Sequence, residues 1–228
     1  MIYITGDCHG QFNHIIDFCV RHNISEEDII ILLGDVGLNY YLGEKDKINK
    51  QRLNELKPTF ICVHGNHEER PENIDSYMIT TNEYGRFYFE QEFPDILFCI
   101  DGYCYNIHGK EYLALGGAYS VDKHYRLARG WSWFESEQMD NNIKENIKAE
   151  FFRKKVDYVI AHTCPYKYIP REMFLSQVDQ STVDSSMELF LDDCEENIGY
   201  SRWYCGHYHC NKSIDKVRFL FNDIVEAN

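Results

Sequence analysis

Residues 4–10 read Ile-Thr-Gly-Asp-Cys-His-Gly, directly behind an N-terminal Met-Ile-Tyr. A strand-like apolar run thus ends on an aspartate and a histidine spaced two apart. Residues i and i+2 of an extended chain point to the same side, so Asp7 and His9 can grip one ligand together. The fold class is decided by residues 12–63. Residues 12–21 place Phe12, Ile15, Ile16 and Cys19 on one helical face. Residues 28–33 are a second apolar run and residues 45–56 a polar surface helix with a stripe at Ile48, Leu53 and Leu56. Residues 59–63 form a third run. Strand, helix, strand, helix, strand at this spacing predicts βαβ units and a parallel sheet, hence an α/β protein.

The middle changes character. Residues 86–89, 96–100, 104–108 and 111–115 read as short strands, with turn chemistry at Asp101-Gly102 and His108-Gly109-Lys110. Residues 135–153 are the longest helix candidate, 157–161 a strand ending at His162, and 165–183 a surface loop placed over a site. A helix over 184–196 and closing strands at 202–205 and 217–221 complete the reading. No repeat or linker interrupts the chain, so one domain over residues 1–228 is expected.

Composition limits the function classes. A hydrophobic fraction of 44% in 228 residues supports a sizeable core. The formal net charge of −14 argues against an extended nucleic-acid groove, which needs clustered Lys and Arg. It leaves a small phosphate substrate open, because bound cations reverse the local sign. The nine cysteines are odd in number and follow no secretory leader, so reduced thiols in a cytoplasmic protein are expected. No run is long enough to span a membrane.

Four further stretches share the chemistry of the first. Gly-Asp-Val-Gly holds Asp35, and Gly-Asn-His-Glu holds Asn66, His67 and Glu68. Ala-His-Thr-Cys-Pro holds His162, and Gly-His-Tyr-His holds His207 and His209. Each follows an apolar run, and strand ends at one edge of an open sheet are where α/β proteins assemble sites from distant sequence. Imidazole and carboxylate suit Mn, Fe, Zn and related divalent ions. Two Asp, one Asn and four His exceed a closed four-ligand zinc site and match two ions sharing a bridging carboxylate.

This ordered set, from Asp7 to His209, resembles the calcineurin-like metallophosphoesterases. The resemblance implies a β-sandwich of two mixed sheets flanked by helices, with a βαβαβ start. It implies that Asp7, His9 and His209 hold one metal, that Asn66, His162 and His207 hold a second, and that Asp35 bridges them. It also implies a hydroxide between the metals as nucleophile, and a non-coordinating His67 that protonates or stabilises the leaving oxygen. Glu68 is expected either to orient His67 or to sit at the surface.

The chain lacks the Asp-Arg-Gly that protein Ser/Thr phosphatases carry after the second motif, reading Gly-Asp-Val-Gly-Leu-Asn-Tyr instead. Arg70, Arg126 and Arg129 are therefore the candidate phosphate-binding cations, and Gly116–Ser120 a candidate backbone approach. His64 is expected in the core or behind the ligands, and Cys8, Cys205 and Cys210 as packing residues rather than zinc ligands. The expected function is hydrolysis of a small, nucleotide-like phosphodiester or phosphomonoester. The alternative is a weakly active scaffold of the same fold serving as an interaction module.

Overall fold

The computed structural model describes residues 1–174 and 181–227. The opening runs fold as read: β1 (Ile2–Thr5), β2 (Ile29–Leu32) and β3 (Thr59–Cys62) are parallel neighbours. Helix α1 (Asn13–His22) and helix α2 (Glu44–Asn54) connect them. The sheet continues through β6 (Phe93–Cys99), parallel to β3, and then antiparallel through β5 (Gly85–Glu90) and β4 (Met78–Asn82). β13 (Val225–Glu226) closes its other edge against β1.

A second mixed sheet runs in the order β11 (Lys212–Ile214), β12 (Val217–Phe219), β10 (Arg202–Cys205), β9 (Tyr158–Ala161), β8 (Lys110–Leu115), β7 (Cys104–Ile107). Its four middle strands are parallel, and each edge strand is antiparallel. Helices α3 (Lys123–Arg129), α4 (Asn141–Phe151) and α5 (Ser186–Asn197) occupy the long connections.

Alternation along the strands sorts the core into three layers. Ile29, Ile31, Ile61, Tyr158, Ile160 and Tyr204 belong to one cluster, which fills the space between the sheets. The intervening Ile30, Leu32, Phe60 and Cys62 pack with Phe12 and Ile15 of α1 and Leu53 of α2. Val159, Ala161, Trp203 and Cys205 pack with Ile147 of α4 and Leu191 of α5. A strand covered on both faces reads as a continuous apolar run, which is why Ile29–Leu32 and Tyr158–Ala161 show no polar alternation.

Four expectations differ in detail. The helix read over 135–153 is a single 3-10 turn at Glu135–Glu137 followed by α4. The Asp140 carboxylate accepts from the Asn142 N–H at 2.7 Å and so starts a new helix there. β4, β11 and β13 escaped notice because they are short or exposed edge strands, and α3 because its Tyr125 and Leu127 face solvent. The loop read over 165–183 contains short 3-10 turns at Tyr166–Tyr168 and Arg171–Met173, and its residues 175–180 lie outside the described residues. All nine cysteines are free thiols.

Candidate metal centre

The five motifs follow the carboxyl ends of β1, β2, β3, β9 and β10, three strands of one sheet and two of the other. To place a donor there the chain must turn back at once. His9, Asp35, His207 and His209 do so on left-handed backbone, with φ of 48°, 48°, 66° and 47°. Nine non-glycine residues adopt positive φ among those described, and four of them sit at this site. Such strain concentrates where surrounding structure enforces it for function. Two glycines permit the close packing. A Cβ on Gly34 would lie 2.3 Å from His162 Nδ1, and one on Gly206 would lie 2.3 Å from Asp7 Oδ1.

Each aspartate uses one oxygen to fix a neighbouring motif and turns the other toward histidines. Asp7 Oδ1 accepts from the His207 backbone N–H at 2.7 Å, and Asp35 Oδ1 accepts from the His67 N–H at 2.7 Å. Asp7 Oδ2 is buried with no hydrogen-bond partner among the described residues. It lies 3.3 Å from His209 Nε2 and 3.8 Å from His9 Nε2, and those two nitrogens are 3.0 Å apart. Asp35 Oδ2 lies 4.0 Å from His9 Nε2, and Asp35 Oδ1 lies 3.6 Å from His162 Nε2. Asp35 therefore stands between two groups of donors.

In the second group His162 Nδ1 donates to the Leu33 carbonyl at 2.7 Å, which leaves Nε2 as the bare nitrogen of a neutral ring. That nitrogen faces Asn66 Oδ1 at 2.8 Å, and Asn66 is turned this way because its Nδ2 donates to Ser120 Oγ at 2.9 Å. Two acceptors thus oppose one another, an arrangement that a shared cation satisfies. The His207 ring lies 5.0 Å from the His162 ring. Asp7, His9, Asp35, His162 and His209 fall into overlapping groups of donor atoms within 4.8 Å of one another, one of which takes in His67, and Asn66 and His207 adjoin them at His162; this chemistry fits divalent ions with oxygen and imidazole ligands.

Electrostatics agree with that chemistry. Burial pushes His207 down to about 3 and also lowers His9. Both rings are thereby kept neutral, the state in which imidazole ligates. Burial alone would raise the Asp35 carboxyl, but His162, His67 and His9 outweigh it and hold Asp35 below the usual carboxylate range. The Asp7 carboxylate 3.3 Å away raises His209, drawing that ring toward its charged form.

His67 stands at the edge of this cluster. Its Nδ1 is 3.4 Å from Asp35 Oδ2 and 3.1 Å from Arg126 Nη2, and its Nε2 is 3.6 Å from Asp122 Oδ1. In the neutral ring Nδ1 accepts from Arg126, and the proton sits on Nε2 toward Asp122. Burial opposes charging the ring, but Asp35 and Asp122 favour it more and lift His67 above the ordinary imidazole value. Arg126 is itself held by both Asp122 oxygens at 2.8 Å and by Tyr40 Oη at 3.1 Å. His67, Arg126 and Tyr40 line a cavity of about 190 Å³ with His9, Tyr41 and Trp131.

The other arginines lie elsewhere. Arg70 is buried, ion-paired with Asp101 and donating to the Ser136 carbonyl at 2.7 Å. It lines a separate cavity with Glu72 and Asn73. Arg129 packs over the Tyr125 ring. Glu68 is neither at the surface nor joined to His67. It is fully buried and accepts from the Gly65 N–H at 2.8 Å, bracing the loop that carries Asn66, while burial raises its carboxyl to about 8. His64 is buried behind the site, with burial holding its pKa well below the ordinary value. Asp122, Tyr40 and Ser120 were missed as individual site residues. Ser120 ends the Gly-Gly-Ala-Tyr-Ser stretch, where the backbone approach is made by Gly117 N–H donating to the His64 carbonyl at 2.8 Å.

Two mixed sheets packed face to face, with oxygen and imidazole donors at the strand ends of both, define an α/β metallohydrolase. More particularly, residues 1–211 match the family model of the calcineurin-like phosphoesterases, and the chain belongs to that family. No curated protein sequence matches it. Among solved structures it is similar to phosphopantetheinyl hydrolase from Mycobacterium tuberculosis, at 12% identity and a TM-score of 0.42. That match covers 96% of this chain and 87% of the other.

Proposed function

We propose that the chain is a two-metal phosphoesterase that hydrolyses a small, nucleotide-like phosphomonoester or phosphodiester. The observation that carries this reading is the convergence of ligand atoms: His9 and His209 nitrogens around the buried Asp7 oxygen, and His162 facing Asn66. Asp7, His9 and His209 would hold one ion, Asn66, His162 and His207 the other, with Asp35 between them. When bound, two such ions stabilise charge on the phosphoryl oxygens and make a nucleophile available from water near neutral pH.

The chain's own residues supply the rest. His67, at the edge of the donor cluster, carries its proton at Nε2 on the Asp122 side and gives it to the leaving oxygen, a role worth roughly a hundredfold to ten-thousandfold in rate. Arg126, fixed by Asp122 and Tyr40, keeps the His67 ring in place and presents positive charge beside an incoming phosphoryl group. Arg70 and Arg129 take no part, because their side chains are engaged elsewhere. A cytoplasmic location accords with nine free thiols.

The test is turnover of bis-p-nitrophenyl phosphate by the purified chain with added Mn²⁺, alongside elemental analysis. His67→Ala should retain both metals and lose most turnover, most severely with poor leaving groups. Asp35→Asn should lower the content of both ions, since one carboxylate serves two. Wild-type protein that binds metal yet hydrolyses no mono-, di- or cyclic phosphoester would overturn the enzyme reading in favour of a scaffold.

A further inference from the structure

A second, larger cavity of about 530 Å³ begins at His207 and His209 and runs beneath the 166–174 segment against α5. If a phosphoryl group sits at the metal centre, as the phosphoesterase reading on which this inference rests requires, its esterified group enters this cavity. Two features of the walls say what that group is.

The first is a pair of rings. Phe174 and Tyr208 lie in planes 20° apart with centroids 6.3 Å apart. Both rings line the cavity and give it a flat aromatic wall. Tyr208 is fixed from the side by edge contacts with His207 and Phe219.

The second is a carboxylate. Glu188 lines the cavity but is only 5% exposed. Its Oε1 accepts from the Thr163 hydroxyl at 3.0 Å, and that hydroxyl meets Tyr208 Oη at 3.2 Å. Its Oε2 is buried and has no hydrogen-bond partner among the described residues. A bare buried acceptor is costly, and a ligand bringing an N–H to it recovers that cost. An aliphatic chain would fill the apolar volume and leave the oxygen bare. A flat ring with a donor answers both features.

We propose that this cavity takes the nucleobase of a nucleoside phosphoester. The ring packs against the aromatic wall of Phe174 and Tyr208, and a ring N–H or amino group donates to Glu188 Oε2. The orientation follows from the lining: phosphoryl toward His207 and His209, base toward Glu188 Oε2.

Calorimetric titration of the full chain with its metals tests this without turnover, using two nucleosides that differ only by one amino group. Adenosine should bind about tenfold more tightly than purine riboside, the discrimination expected for one hydrogen bond to a buried acceptor. Phe174→Ala should weaken both by about tenfold or more through lost stacking. Glu188→Leu should erase the preference for adenosine; if that variant does not fold, Phe174→Ala still decides. Equal affinities in the wild type, or no binding of either nucleoside at millimolar concentration, would overturn the proposal. Turnover of bis-p-nitrophenyl phosphate by the same preparation keeps the two readings apart. Turnover without nucleoside binding overturns the base pocket alone, whereas nucleoside binding without turnover of any phosphoester supports the pocket and overturns the enzyme.

Discussion

At the scale of the residue, the site depends on atoms that are missing as much as on those present. Gly34 has φ +89°, a conformation L side chains rarely adopt, and the Cβ position points at the His162 ring. Gly34→Ala should therefore displace His162 and strain the turn that carries Asp35. The expected outcome is a loss of about 2 kcal/mol or more in urea unfolding, together with less than two ions per chain by elemental analysis. A variant as stable and as fully loaded as wild type would mean that the turn relaxes freely. The motif residues were legible because each is a short donor-bearing phrase directly behind an apolar run. Asp122 and Tyr40 were not, since nothing local marks them: Asp122 reaches His67 from far along the chain, and Tyr40 is tied to it through Arg126, itself 59 residues from His67. Glu68 was misread for a related reason. A glutamate after a histidine looks like its partner, but the loop turns it inward to the Gly65 N–H.

At the scale of the element, long buried strands announced themselves and edges did not. Ile29–Leu32 is apolar throughout because helices cover one face and the other sheet the second. Met78–Asn82 is half-exposed and reads as loop, gaining strand geometry only by pairing with β5. The start of the second sheet shows how a single polar residue aligns strands. Asp157, just before β9, accepts from the Glu111 N–H at 3.0 Å and from Lys110 Nζ at 3.2 Å, tying β8 to β9. The Glu111 hydrogen bond and Lys110 hold its carboxyl below the usual carboxylate value. The folded chain therefore binds this proton less readily than the unfolded chain does. The stabilisation is complete above the unfolded value, near pH 4, and fades as pH falls through the depressed native one. Asp157→Asn should cost about 1 kcal/mol at pH 7 and distinctly less at pH 3. Urea titrations of both proteins at the two pH values check this, and an equal deficit at both would show that the charge plays no part.

At the scale of the whole molecule, the candidate ligands join two sheets that also meet through apolar packing and through Tyr105 Oη, which donates to the Arg86 carbonyl. Asp7, Asp35 and Asn66 extend from one sheet, His162 and His207 from the other. Only a few polar contacts cross at this edge, among them His207 N–H to Asp7 Oδ1 and His162 Nδ1 to the Leu33 carbonyl. Ions held by both sets of donors bind the folded chain alone, so they should stabilise it by mass action. At a hundred times its dissociation constant, one ion contributes about 2.7 kcal/mol. For a chain of this size that is a rise of about 5–10 °C in melting temperature. Melts with Mn²⁺ and with a chelator should differ by at least that much. Asp7→Ala should remove most of the difference. Arg70→Ala gives the necessary contrast, because Arg70 is buried with Asp101 outside the donor set. Leaving Asp101 unpaired should cost about 3–5 kcal/mol, and the melting temperature should fall with the metal-dependent increment preserved. If Arg70→Ala lost the increment while Asp7→Ala kept it, the ions would be held somewhere other than the meeting edge of the two sheets.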